Sequence, residues 1–174
     1  MKKSIRLPGY DYTQPGAYFI TICTYQHQSL FGEISDGEIV FNELGRIANK
    51  TWKEIPNHFS NVITEYWIVM PNHIHGIIEI ITDDRRDSAC RIPTIEQYGK
   101  PVQGSIPTIV RSYKSAVTRQ ITLKFNPDFR IWQRNYYEHI IRNDIELGKV
   151  REYIRNNPLQ WALDQLDPPD WDSI

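Results

Sequence analysis

Apolar and polar positions alternate between two periods along this chain, and the switches between them outline the elements. Ala17 to Tyr25 (AYFITICTY) is β-branched and aromatic, with Pro15 and Gly16 marking its entry, and reads as a buried strand. Phe31 to Ile34 and Glu38 to Phe41 flank Ser35-Asp36-Gly37, a link suited to a β-hairpin. Leu44, Ile47, Ala48 and Trp52 then recur at helical spacing behind Asn42 as N-cap, and Pro56 is expected to close that helix. Asn61 to Met70 reads as a strand, Pro71-Asn72 as a turn, and His73 to Ile81 as a strand able to pair back on it.

Periodicity lapses from Thr82 to Gln103, so a flexible loop is expected over 82–103. It returns as a helical stripe through Ile106, Ile109, Val110, Tyr113, Val117 and Ile121, with Ser105 as cap and Pro107 in the first turn. Arg130 to Gln133 and Tyr136 to Ile141 predict a further strand or a hairpin around Arg134-Asn135. The last helix is expected from Asp144, capped by Asn143, to about Asn157, where Pro158 should stop it. Strands interleaved with helices and joined partly by hairpins predict an α+β sandwich, helices on an antiparallel sheet, as one domain over 1–174.

Composition changes this picture little. With 40% apolar and 24% charged residues the chain has a globular profile, without an apolar run that could span a bilayer or serve as a secretory signal, so a cytoplasmic protein with no membrane partner is expected. Cys23 and Cys90 show no CxxC spacing, and Cys23 reads as core. The formal net charge of −1 weighs against a phosphate-rich partner. Its distribution weighs the other way: from Gln97 to Pro127 the chain carries Lys100, Arg111, Lys114, Arg119 and Lys124 and no acid, while Asp164, Asp167, Asp170 and Asp172 gather in an acidic tail over 164–174.

Two local patterns carry chemistry. In His73-Ile74-His75, strand geometry sends both imidazoles to one face, where they can share a metal ion, although such a pair alone is more often a polar strand face. In the last helix, Tyr153 and Asn157 lie one turn apart, with Tyr153 about 60° from the apolar stripe of Leu147, Val150 and Ile154. A tyrosine packed at the core boundary is the bland alternative. Tyr136 and Tyr137 are rival phenols whose strand context favours packing. Glu79 is a rival metal ligand but lies ~13 Å along the strand from His75.

Taken together, MPNHIHGII at 70–78, IWQRNYYEHIIRN at 131–143 and YIRNNP at 153–158 resemble the single-tyrosine HUH transposases, particularly their REP-associated branch. GYDYTQPGAYFITICTYQHQSLFG at 9–32 and GSIPTIVRSYKSAV at 104–117 look like that branch too. The resemblance implies a ferredoxin-like or RRM-like sandwich and a metal-dependent endonuclease and strand transferase for single-stranded or hairpin DNA. It implies Tyr153 as nucleophile, giving a 5′-phosphotyrosine and a free 3′-OH. It also implies that His73, His75 and Asn157 hold a divalent cation, Mg²⁺ or Mn²⁺. Arg111, Lys114, Arg119, Arg134 and Lys149 are the expected DNA-binding side chains, on a monomer or homodimer.

The residue types suit one another. A cation on a non-bridging phosphate oxygen offsets the charge that repels nucleophiles. A phenol with a pKa near 10 is ionised in only about one molecule in a thousand at pH 7, so Lys149, Arg134 or His139 is expected to assist. Two alternatives stand beside this: a module that holds hairpin DNA or RNA without cutting it, and a zinc-type hydrolase using the His pair with Glu79 or His139.

Overall fold

The computed structural model describes residues 10–82 and 102–161. The expected loop over 82–103 falls almost wholly, and the acidic tail over 164–174 wholly, outside these residues, as do Cys90 and Lys100.

The central strand is β1, Gly16–Cys23, and both its neighbours run antiparallel to it. On one side lies β6, His73–Ile80, and on the other β7, Tyr137–Ile141. The far edge of β6 pairs with two short strands in turn, β4 (Val62–Ile63) and β5 (Trp67–Val69). The helices are α1 (Glu43–Lys53), α2 (Ile55–His58), α3 (Ile106–Phe125) and α4 (Asp144–Gln160). If β4 and β5 count as one interrupted strand, the chain order strand, α1, strand, strand, α3, strand gives the sheet order of a ferredoxin-like sandwich. The α+β expectation holds, with α4 added on the opposite face.

Period-2 alternation decides which residue goes to which face. Tyr18, Ile20 and Ile22 of β1 with Ile74 and Ile78 of β6 enter the main core under α1 and α3. Phe19, Ile77 and Ile141 face the other way and meet Val150 and Ile154 of α4 in a second, smaller core. His73 and His75 share that second face. Their strand is tied to α1 from behind, because Trp52 lies flat against the backbone of Gly76: a Cβ there would sit 2.3 Å from the indole.

The N-caps are as expected. Asn42, Ser105 and Asn143 each accept from a first-turn N–H through the side chain. Between β2 (Gly32–Ser35) and β3 (Glu38–Phe41), Asp36 and Gly37 both take positive φ, the two-residue turn that matches strand twist. No helix among the described residues is long and apolar enough to cross a membrane.

Four boundaries differ from expectation. The strand expected over Asn61 to Met70 is split into β4 and β5. Pro56 lies inside α2 instead of ending the helical segment, since a proline in the first turn has no N–H to waste. No hairpin forms around Arg134-Asn135: the partners of β1 skip from Tyr137, opposite Thr21, to Trp132, bridged to Thr24. The intervening residues bulge outward, and Lys114 Nζ donates to the carbonyls of Gln133 (2.6 Å), Arg134 (3.5 Å) and Asn135 (3.4 Å). Finally, α4 continues through Pro158 to Gln160. The proline forfeits only its own N–H bond, and Trp161 N closes the end on Pro158 O (3.4 Å). Asn157 is therefore helical despite preceding a proline.

Because the Trp52 ring is wedged among buried side chains, Gly76→Ala is expected to destabilise the protein by about 1–3 kcal/mol through overpacking. Gly148→Ala, on the open side of α4 with nothing within 4 Å of the added carbon, should stabilise it by roughly 0.5–1 kcal/mol. Urea unfolding midpoints check both; equal midpoints would mean Trp52 is not rigidly seated.

Candidate active site

β6 begins at the tight turn Met70-Pro71-Asn72-His73, closed by Met70 N on His73 O (2.8 Å), so both histidines sit at the anchored end of the strand. Their rings lie on one face with centroids 4.4 Å apart, and both residues are almost fully buried. His75 Nδ1 meets Thr21 Oγ1 at 2.9 Å, and its ring stacks on Phe19 at 5.3 Å. Burial, and secondarily the neighbouring His73, hold His75 well below the ordinary imidazole pKa. It is therefore neutral at pH 7, the form that can donate a lone pair to a metal.

Helix α4 brings the second half of the site. Tyr153 Oη lies 3.3 Å from His75 Nε2, and its ring packs edge-on against Phe19. Two turns on, Trp161 stacks over His73 with centroids 6.0 Å apart. Asn157 lies midway between these contacts on the same side of the helix, at 0% exposure. The amide is thus bracketed by the two residues that touch the two histidines. Two imidazoles, that of His75 held neutral, and a carboxamide oxygen make a donor set that fits a divalent cation.

The rival residues lie elsewhere. Glu79 is at the other end of β6, opposite Ala17 and Ile63. His139 Nε2 is 2.6 Å from Glu146 Oε1, whose other oxygen accepts from Arg142 N at the start of α4. Among the described residues no three His, Cys, Asp or Glu side chains form a metal-holding group, which removes the zinc-type set of His73 and His75 with Glu79 or His139. Tyr136 packs against the main core, and Tyr137 against the small one beneath α4. Of the groups expected to assist Tyr153, His139 serves the helix cap and Arg134 lies in a separate groove, whereas the side chain beside the phenol is His75.

That groove, of about 680 Å³, runs along α3 and is lined by Arg111, Lys114, Arg119 and Arg134 together with Trp132 and Tyr136. Four of the five expected DNA-binding residues therefore converge on one surface. Lys114 departs from expectation, being drawn inward to the bulge carbonyls, where burial pushes its pKa down to about 8. Lys149, the fifth, is exposed on α4. The groove adjoins the site through the sheet: His73 is opposite Cys23, and Gln133 N donates to Cys23 O (3.0 Å). Cys23 itself is half-buried, a free thiol whose pKa burial raises.

Thr21, Asn72 and Trp161 carry no signature in the sequence. Thr21 reads as one more β-branched strand residue, and an asparagine after proline reads first as a turn former. Only the helical interval of four from Tyr153 through Asn157 to Trp161 could have marked the last.

No protein-family model matches the chain. It is 41% identical over 169 residues, 95% of its length and 92% of the relative's, to a Haemophilus influenzae protein described only as uncharacterised. Among solved structures it is similar to the REP-associated tyrosine transposase bound to a REP hairpin, with a TM-score of 0.55 and 17% identity, over 92% of this chain and 74% of that one. The chain thus belongs to one family with the Haemophilus influenzae protein, and that family has the fold of the REP-associated tyrosine transposase.

Proposed function

We propose that this protein is a transposase-like, metal-dependent endonuclease and strand transferase that cuts single-stranded DNA at a hairpin or repeat through Tyr153. The observation that carries the reading is the 3.3 Å approach of Tyr153 Oη to His75 Nε2, which sets a phenol oxygen against a neutral imidazole whose ring lies beside that of His73. A fold shared with a transposase solved on a REP hairpin supports the same class of DNA. His73, His75 and Asn157 would hold Mg²⁺ or Mn²⁺, and the cation, when bound, offsets negative charge on the phosphate being attacked.

The chain's own residues perform the remaining work. Phe19 and His75 hold the phenol ring in place, so little rotational freedom is lost at attack. Tyr153 Oη forms a bond to phosphorus, the bond from phosphorus to the 3′ oxygen breaks, the phenol gives up its proton and the 3′ oxygen gains one. The 5′-phosphotyrosine retains the phosphodiester energy, so a second 3′-OH can reverse the exchange and join a new strand without a nucleotide cofactor. Arg111, Arg119 and Arg134 in the groove, with the half-buried Tyr136 beside them, suit the single strand flanking the cut: guanidinium groups for phosphates and a ring for a base.

Incubation with Mn²⁺ and end-labelled hairpin DNA should give a denaturation-resistant adduct with wild type, Tyr136→Phe and Tyr137→Phe, and none with Tyr153→Phe. An adduct on Tyr153→Phe would assign the nucleophile elsewhere, and tight binding with no adduct in any protein would favour the non-cleaving hairpin-binding module. Calorimetry should find that His73→Ala and His75→Ala each abolish Mn²⁺ binding while both variants remain folded, with unfolding midpoints lowered by the loss of a buried ring; unchanged affinity in both would remove the metal site. Arg111→Ala with Arg119→Ala should lower the salt dependence of single-strand binding by up to about two phosphate contacts. An unaltered slope would assign those arginines to ordinary solvation.

A further inference from the structure

The residue before the His pair is held by more hydrogen bonds than its place in a turn requires. Asn72 joins β5 to β6 together with Pro71, whose ring fixes φ near −65° and so excludes the positive-φ turns that favour a two-residue hairpin. The turn is instead held from outside. Thr24 N donates to Asn72 O (2.9 Å), the Thr24 hydroxyl lies 2.9 Å from the same oxygen, and Phe31 N donates to Pro71 O (3.0 Å).

The Asn72 side chain, itself buried, is bound at both ends. Its Nδ2 donates to the carbonyl of His27 (3.3 Å), and its Oδ1 lies 2.7 Å from His73 Nδ1. A carbonyl can only accept, so the amide nitrogen must face His27 and the amide oxygen must face His73. Turning the amide over would set two oxygens against each other. Since the amide oxygen also only accepts, His73 Nδ1 must carry the proton, which leaves the lone pair on Nε2. The carbonyl that fixes the amide is itself held in unusual backbone: Gln26 and His27 are consecutive non-glycine residues at φ 53° and 55°. Strain of this kind persists only where surrounding contacts impose it.

We propose that Asn72 is a positioning residue for metal binding: it locks His73 in the Nδ1–H tautomer and so presents Nε2 as the ligand atom. The inference rests on the metal-site reading above, but the tautomer belongs to the chain alone. His75 can adopt the same form, with Nδ1–H donating to Thr21 Oγ1 and Nε2 accepting from the Tyr153 phenol, so both lone pairs lie on Nε2. Thr21 permits that choice, because a hydroxyl donates or accepts; the Asn72 amide oxygen allows His73 no choice.

The test is long-range ¹⁵N–¹H spectroscopy of the histidine rings in metal-free protein at about pH 8, above the ordinary imidazole range, with His73→Gln identifying the His73 signals. Wild-type His73 should show Nδ1–H. Asn72→Ala should shift it towards Nε2–H and weaken Mn²⁺ binding about 10–100-fold, whereas Asn72→Asp, which still accepts from Nδ1, should keep the wild-type tautomer. An Nε2–H form in the wild type overturns the proposal even if Asn72→Ala does not fold, and so does an unchanged Nδ1–H form in folded Asn72→Ala. A wild-type Nδ1–H form with no Mn²⁺ binding would uphold the role of Asn72 in the ring and remove the metal reading instead.

Discussion

Val150 and Ile154 of α4 are buried against Phe19, Ile77 and Ile141, and this small apolar contact is what gives Tyr153 and Asn157 a fixed relation to the two histidines. Each fully buried aliphatic side chain contributes roughly 1.5–3 kcal/mol, so a handful of residues holds half of the site on the sheet. The other half has much stronger support. His73 and His75 belong to a strand flanked by β1 and by β4 and β5, and backed by the large core under α1 and α3. The site therefore joins a rigid element to one held by a modest interface, and local opening of α4 is the motion that separates Tyr153 and Asn157 from the His pair most cheaply.

The electrostatics divide in the same way. Around the His pair the setting is uncharged: burial holds His75 neutral, and its neighbours are a phenol, a threonine hydroxyl and an aromatic ring. Charge is placed on the α3 groove, where guanidinium groups meet solvent. Burial lowers the effective dielectric around the His pair, whereas charges in the exposed groove stay solvated. Lys114 links the two regions mechanically. Its ammonium holds the bulge that carries Arg134 and Tyr136 into the groove, and the backbone of that bulge continues the sheet beside Cys23 and His73.

Much of this was readable from residue patterns because the signals are local. The α+β class, the three N-caps, the Asp36-Gly37 turn and the shared face of His73 and His75 follow from periodicities of 2 and 3.6 and from turn chemistry acting over a few residues. The one-turn spacing of Tyr153 and Asn157 follows likewise. Short-range rules failed where a distant group intervened. Arg134-Asn135 looks like a hairpin turn until Lys114, twenty residues earlier, satisfies its carbonyls. Pro158 looks like a helix end, yet the loss of one hydrogen bond is tolerated in a helix whose other side chains are buried on the sheet.

What the sequence determined by itself was the inventory: two imidazoles on one strand face, a phenol and an amide on one helix face, and a basic segment free of acids. Only the tertiary structure decided that α4 crosses the sheet at the His pair, that His75 rather than Lys149, Arg134 or His139 stands beside Tyr153, and that Lys114 turns inward while Arg111 and Arg119 stay exposed. The reason is physical. Periodicity reports which way a side chain points from its own element, whereas the meeting of two elements depends on packing between residues far apart in the chain, and on burial that no single segment encodes.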